Sequence, residues 1–170
     1  MSRRIVKRSS KSAKALQLSR TSEKIVSHLE RIVGRENVST NLFDRISYAI
    51  DGVVSLGVGI ELDDMSKVPI AVVRPIDTSE VSRILKLANK YCIPIVVQTA
   101  GTALGGSRPQ TPNSVILNLS RMNWIKLYEK DGYVEIGPAV RLLQLNEYLA
   151  PYGYEYPIFP GSYRVAGWAG

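Results

Sequence analysis

Apolar positions along residues 21–150 recur first at helical and then at extended spacings, and they predict helices alternating with short strands. After Thr21, the side chains of Ile25, Val26, Leu29, Ile32 and Val33 share one helical face. Thr21 or Ser22 is placed to cap that helix, and Gly34 to end it with a left-handed residue. Residues 35–68 show neither period and read as an irregular connection. Residues 70–73 form a buried strand ended by Arg74 and Pro75. Asp77 and Glu80 have capping-box spacing, and Val81, Ile84, Leu85 and Ala88 carry a helix to Lys90. Residues 93–97 are a second strand, with Pro94 at its entrance. Strand, helix and strand make a βαβ unit, whose strands are expected to be parallel and buried. A third strand follows at 115–119. The segments 124–128 and 133–136 flank Asp131 and Gly132, a hairpin signal. Leu142, Leu145 and Leu149 mark a last helix, stopped by Pro151, and residues 152–170 read as ordered loop.

The fold class expected is α+β. Residues 1–20 are a basic, disordered tail and 21–67 a helical lead-in and connection. Residues 68–170 are the main unit, with a first βαβ lobe over 68–123 and a second, mixed or antiparallel lobe begun at 124.

Composition narrows the function classes. The net charge of +7 suggests a polyanion partner until the charges are located. Arg3, Arg4, Lys7, Arg8, Lys11, Lys14, Arg20 and Lys24 face one acid, Glu23, among the first 24 residues, and the rest of the chain is balanced. The globular part is therefore not a basic nucleic-acid module. The tail reads as a solvated extension, with docking on an acidic subunit, nucleic acid or an anionic membrane as alternatives. Apolar runs are too short to span a bilayer, and none follows the first charges as in a secretory signal. The single Cys92 and single His28 allow no internal disulfide and no metal cluster. A reducing, cytoplasmic setting is expected, with peripheral membrane contact as the alternative. Cys92 is expected to be a small buried residue and His28 a surface one.

Two loops carry candidate chemistry. Residues 98–107, Gln-Thr-Ala-Gly-Thr-Ala-Leu-Gly-Gly-Ser, follow a strand and are nearly all small. Such a loop exposes main-chain N–H groups, which suit the oxygens of a phosphate; a flexible surface loop has the same composition. No Gly-Lys-Ser/Thr follows, so it is not a nucleoside triphosphate loop. Gly57-Val58-Gly59 lacks the strand-to-helix setting of a nucleotide motif. Residues 160–170 again alternate small residues with a hydroxyl, beside Arg164.

Taken in order, these pieces resemble the FAD-binding domain of FAD-linked oxidases. This is the vanillyl-alcohol-oxidase-like group that includes glycolate oxidase subunits and D-lactate dehydrogenases. The matching runs are PIAVVRP at 69–75, ILKLANKYCIPIVV at 84–97, AGTALGG at 100–106, VILNLSRMNWI at 115–125, YVEIGPAV at 133–140, and PGS with AGWAG at 160–170. The resemblance implies that FAD pyrophosphate lies on Ala100, Gly101, Thr102, Ala103, Leu104, Gly105 and Gly106. Pro160, Gly161, Ser162, Ala166, Gly167 and Gly170 would line the other side. Gln98 and Thr99 depart from the arginine-glycine pair that often opens the family loop, and the turn at Gly167, Trp168 and Ala169 is altered. The family continues beyond this turn, so the domain is expected to be truncated. The chain would then be an FAD-binding fragment or subunit of a flavin-dependent 2-hydroxy acid oxidoreductase of glycolate or D-lactate type, with no catalytic residue of its own. A second polypeptide completing the domain, or self-association, is the expected partnership. A nonenzymatic structural remnant or assembly subunit that keeps the fold without flavin is the alternative.

Overall fold

A computed structural model describes residues 19–49, 67–103, 108–109 and 111–168. The basic tail up to residue 18, Gly52, Gly57, Gly59 and residues 104–107 lie outside the described residues.

The first helical period builds α1, Arg20–Val33, which buries Ile25, Val26, Leu29 and Val33. Ser19, not Thr21 or Ser22, caps it: its hydroxyl accepts from the Ser22 amide at 3.2 Å. Gly34 ends the helix with a φ of 86°, but its ψ of 145° is extended rather than left-handed helical. The chain therefore runs into a 3-10 turn, Arg35–Asn37, and then into β1, Val38–Ser39. Asn41 next caps α2, Leu42–Ser47, its side chain accepting from the Phe43 amide at 2.8 Å. The expected irregular connection is thus partly regular. Two strand residues and six helical ones are too few to display a period.

The main sheet joins β2 (Ala71–Val73), β3 (Ile95–Gln98) and β4 (Val115–Asn118), with α3 (Thr78–Tyr91) between β2 and β3. Its order is β1-β2-β4-β3. β2 and β3 both run parallel to β4, and β1 is antiparallel to β2. The two strands of the βαβ unit are therefore not neighbours: Ile116 of β4 lies between Val72 and Val96. This placement decides burial. β2 and β4 are wholly buried, whereas β3 pairs on one side only among the described residues and leaves Val97 40% exposed.

Asp77 accepts from the Glu80 amide at 2.8 Å, and the Glu80 carboxylate accepts from the Ile76 amide at the same distance, which fixes the start of α3. Cys92 ends that helix in the left-handed conformation, φ 51°, and is exposed, not buried as expected. The reversal into β3 takes place at the surface and carries the thiol with it.

Ala71, Val73, Val115 and Leu117 meet Ile25, Leu29 and Ile84 of the two long helices in one core. Val72 and Ile116 point to the opposite face, as strand alternation requires, and are also fully buried. Arg45 of α2 is buried, and its Nε donates to the Pro69 carbonyl ahead of β2. Burial lowers its pKa from the usual guanidinium value.

A second core lies on the hairpin of β5 (Ile125–Tyr128) and β6 (Tyr133–Ile136). Gly132 closes the turn with φ 70°. Tyr128 and Tyr133, directly opposite, stack with centroids 4.6 Å apart. Val140, Leu145 and Leu149 cover this hairpin, the last two from α4 (Leu142–Leu149). Pro151 does not stop the chain abruptly; it sits in a 3-10 turn, Ala150–Tyr152, that extends α4. Asn146 then pins the following segment, donating to the Tyr156 carbonyl at 3.2 Å and accepting from its amide at 2.8 Å.

The two cores are stitched together beside Gly137. Its amide donates to the Trp124 carbonyl at 2.8 Å, and the Ala139 amide donates to the Met122 carbonyl at 3.1 Å. A Cβ on Gly137 would overlap the Met122 carbonyl, an atom of the backbone that cannot swing aside. Gly137→Ala is expected to lower the unfolding free energy by about 2 kcal/mol in urea melts. Unchanged stability would show that the strand exits have room to separate.

Candidate functional site

Adjacent parallel strands release their chains in different directions at their carboxyl ends, and the gap between them is where open α/β sheets bind ligands. β3 and β4 make such a gap. A hollow of about 320 Å3 opens there, bordered by Thr99 and Ala100 leaving β3 and by Ser120 and Asn123 leaving β4. Ala139, Arg141 and Gln144 contribute a wall from the second core, and Val165 and Gly167 close it from the C-terminal segment.

A buried polar group fixes this rim. Asn118, 1% exposed, donates to the Tyr48 hydroxyl at 3.3 Å and to the Thr99 carbonyl at 3.4 Å, and accepts from the Ser120 amide at 3.1 Å. One side chain thus ties both strand exits together. Gln98, 2% exposed, donates to the Tyr48 carbonyl at 3.2 Å. The residue standing at the expected arginine position is therefore turned into the protein as an anchor.

Across the hollow, Gly167 lies against Thr99. A Cβ there would come 2.7 Å from Thr99 Oγ1 and 3.1 Å from the Pro138 carbonyl. The adjacent Trp168 amide donates to that same carbonyl at 2.9 Å, and the Trp168 ring meets Tyr156 edge-on at 5.1 Å. The Tyr163 carbonyl accepts from the Leu143 amide at 3.3 Å and ties the segment to the first turn of α4.

The two small-residue segments behave differently as sources of N–H donors. Among the described residues, the amides of Ala100, Gly101, Thr102 and Ala103 enter no backbone hydrogen bond. Gly101 takes the positive φ, 65°, that a small-residue loop allows. In the later segment, the amides of Tyr163, Val165, Ala166 and Trp168 are all engaged within the protein, whereas those of Gly161, Ser162 and Gly167 enter no such bond. That segment is a self-supporting turn more than a donor array.

Of the residues singled out from the sequence, Ala100 and Gly167 border the hollow. Gly101, Thr102 and Ala103 continue the chain from Ala100. Pro160, Gly161, Ser162 and Ala166 form the turn leading to Gly167, and are not among its lining residues. Leu104, Gly105, Gly106 and Gly170 lie outside the described residues. His28 accompanies α1, with Nδ1 2.7 Å from the Lys24 carbonyl and its ring 6.0 Å from that of Tyr91. Ser120, Asn123, Ala139, Arg141 and Gln144 were not foreseen. Their signal was position, directly after a strand or at the start of a helix, rather than residue type.

The family described as FAD binding domain matches residues 69–170, and the chain belongs to it. FAD is the cofactor to which that match points. The chain is 38% identical over 95 residues to a mitochondrial D-lactate dehydrogenase [cytochrome] of Arabidopsis thaliana, covering 55% of this chain and 17% of that protein. It is 27% identical over 139 residues to glycolate oxidase subunit GlcD of Bacillus subtilis, covering 81% and 28%. Among solved structures, p-cresol methylhydroxylase with substrate bound superposes with a TM-score of 0.71 at 22% identity, over 88% of this chain and 29% of that one. The 4-ethylphenol oxidase of Gulosibacter chungangensis, in its isoeugenol complex, gives 0.69 at 26%, over 88% and 28%. The fold is the vanillyl-alcohol-oxidase-like one expected. The chain spans less than a third of the length of each of these proteins. No helix among the described residues is long and apolar enough to cross a membrane.

Gly167→Ala is expected to destabilise the protein by about 1–2 kcal/mol through its contact with Thr99. Thr99→Ala in the same chain should restore part of that, with a coupling of about 1 kcal/mol in a double-mutant cycle. Additive effects would mean that the two segments do not touch.

Proposed function

We propose that the hollow receives the diphosphate of FAD and that this chain is the FAD-holding portion of a flavin-dependent 2-hydroxy acid oxidoreductase of glycolate or D-lactate type. One observation carries the reading: the two small-residue segments, far apart in sequence, meet at one hollow, with Gly167 seated against Thr99. The amides of Ala100, Gly101, Thr102 and Ala103, which enter no backbone hydrogen bond among the described residues, supply donors from one side, continued by Leu104, Gly105 and Gly106 outside the described residues. Pro160, Gly161, Ser162, Ala166, Gly167 and Gly170 form the other side. Residues 68–123 form the first lobe of this domain and 124–170 the beginning of its second. The relatives named for D-lactate and glycolate chemistry support the substrate class.

Bound FAD supplies the two-electron chemistry, and the protein supplies position and electrostatics. This chain's part is to hold the dinucleotide and leave its flavin end outside the first core. Among the described residues, the side chains lining the hollow are hydroxyls, amides, a guanidinium and small apolar groups. The only histidine, His28, belongs to α1. The 170 residues therefore bind and orient without turning over substrate. A second polypeptide, or another copy, is the partner, and among the described residues the edge strand β3 and the two-stranded β5–β6 sheet offer unpaired main chain for it. We place the protein in the cytoplasm, with peripheral contact of its basic tail to an anionic membrane as the alternative. A structural subunit without flavin is the second reading, favoured by Gln98, which is anchored inward where the resemblance has a cation.

Desalting the purified chain after incubation with FAD should leave a flavin spectrum on the protein, and His28→Ala should leave that spectrum unchanged. Loss of all flavin, with the chain alone and with a completing polypeptide, would select the structural reading.

A further inference from the structure

We propose that Arg141 reads the anion in the hollow, providing the cationic contact to a diphosphate that Gln98 does not. The inference rests on the cofactor reading and adds the residue that sets its preference for phosphate.

Three observations converge. Arg141 is the only charged residue among the described ones that border the hollow, and no carboxylate faces it there. Its side chain is exposed and has no partner among the described residues; its main-chain amide donates to Gln144 Oε1 at 3.5 Å and its carbonyl accepts from the Leu145 amide at 2.9 Å. An exposed, unpaired guanidinium on the wall of a hollow keeps all its donors available, and they suit phosphate oxygens in pairs. Gln98, in contrast, is buried and occupied with Tyr48, so the β3 exit brings no positive charge.

The local fold explains why Arg141 is presented there. It precedes Leu142, the first residue of α4, in an extended conformation with φ −84° and ψ 148°. The partial positive end of the helix lies beside it and adds to the same potential. Val140, fully buried just before it, and Leu142, buried just after, hold the backbone in place while the intervening side chain faces out. The hollow thus has Thr99 and Ala100 on one side and a cation on the Arg141 side, a pairing that favours a ligand carrying negative charge. A dinucleotide diphosphate has that chemistry, and an uncharged flavin nucleoside does not.

The test uses the full chain and its Arg141→Gln, Arg141→Ala and Arg141→Lys variants. Each is titrated with FAD, ADP and riboflavin by calorimetry and flavin fluorescence, with thermal melts as a folding control. Wild type should bind FAD and ADP. The Gln and Ala variants should lose about tenfold in affinity for both, as expected for one charge-assisted contact, while the Lys variant keeps part of it. The loss should shrink as salt rises, because the group is exposed. Riboflavin binding and melting temperature should not change. Equal FAD affinity in wild type and the Gln variant would overturn the role of Arg141 and leave the cofactor reading standing. A loss that extends to riboflavin, or one that follows a lowered melting temperature, would also overturn it. Failure of wild type to bind either FAD or ADP would remove the cofactor reading, and this inference with it.

Discussion

Asn118 must satisfy a buried amide at the carboxyl end of the middle strand, and the rim of the hollow is arranged around that requirement. Its two N–H groups and its oxygen reach Tyr48, Thr99 and Ser120, so the chains leaving β3 and β4 are held by a single side chain. An unsatisfied buried amide would be costly, which makes the arrangement self-enforcing. Tyr48 also accepts from Gln98 through its carbonyl, so the short helix α2 sits beneath both exits as a brace.

From that fixed rim the rest follows by close approach. Gly137 lets the β5–β6 hairpin come up against Met122, and Gly167 lets the last segment come up against Thr99. Both contacts require hydrogen in place of a side chain, for reasons of space rather than of backbone conformation, since neither glycine has a positive φ. The outcome is a hollow with walls from both cores, lined by hydroxyls, amides and one guanidinium. Such a lining suits holding and orienting a charged ligand.

Much of the architecture was legible because periodicity and capping residues report it directly. α1 and α4 each bury a stripe the sequence displays, α3 buries Ile84 and Ala88 of its stripe but leaves Leu85 exposed, and Asp77 with Glu80 marks the start of α3. What escaped depended on partners distant in sequence. β1 is a strand only because β2 lies beside it, and β3 is half exposed only because β4 takes the middle place. Cys92 looked buried from its neighbours, yet the helix end needed a left-handed residue at the surface. At the hollow, small residues pointed to Ala100 and Gly167, but Ser120, Asn123, Arg141 and Gln144 are ordinary types whose role comes from the sheet's carboxyl edge. Composition also suggested equivalent donor loops, whereas in the second the amides of Tyr163, Val165 and Ala166 already serve the turn itself.

The central claim is that main-chain amides of two separate segments close on one diphosphate. Nitrogen-15 amide shifts of the chain, recorded with and without FAD, address it residue by residue. Ala100, Gly101, Thr102, Ala103 and Gly167 should move together on titration, while the internally bonded amides of Val165 and Ala166 stay nearly fixed. FAD binding that shifts only one of the two segments, or neither, would contradict a shared grip across the hollow.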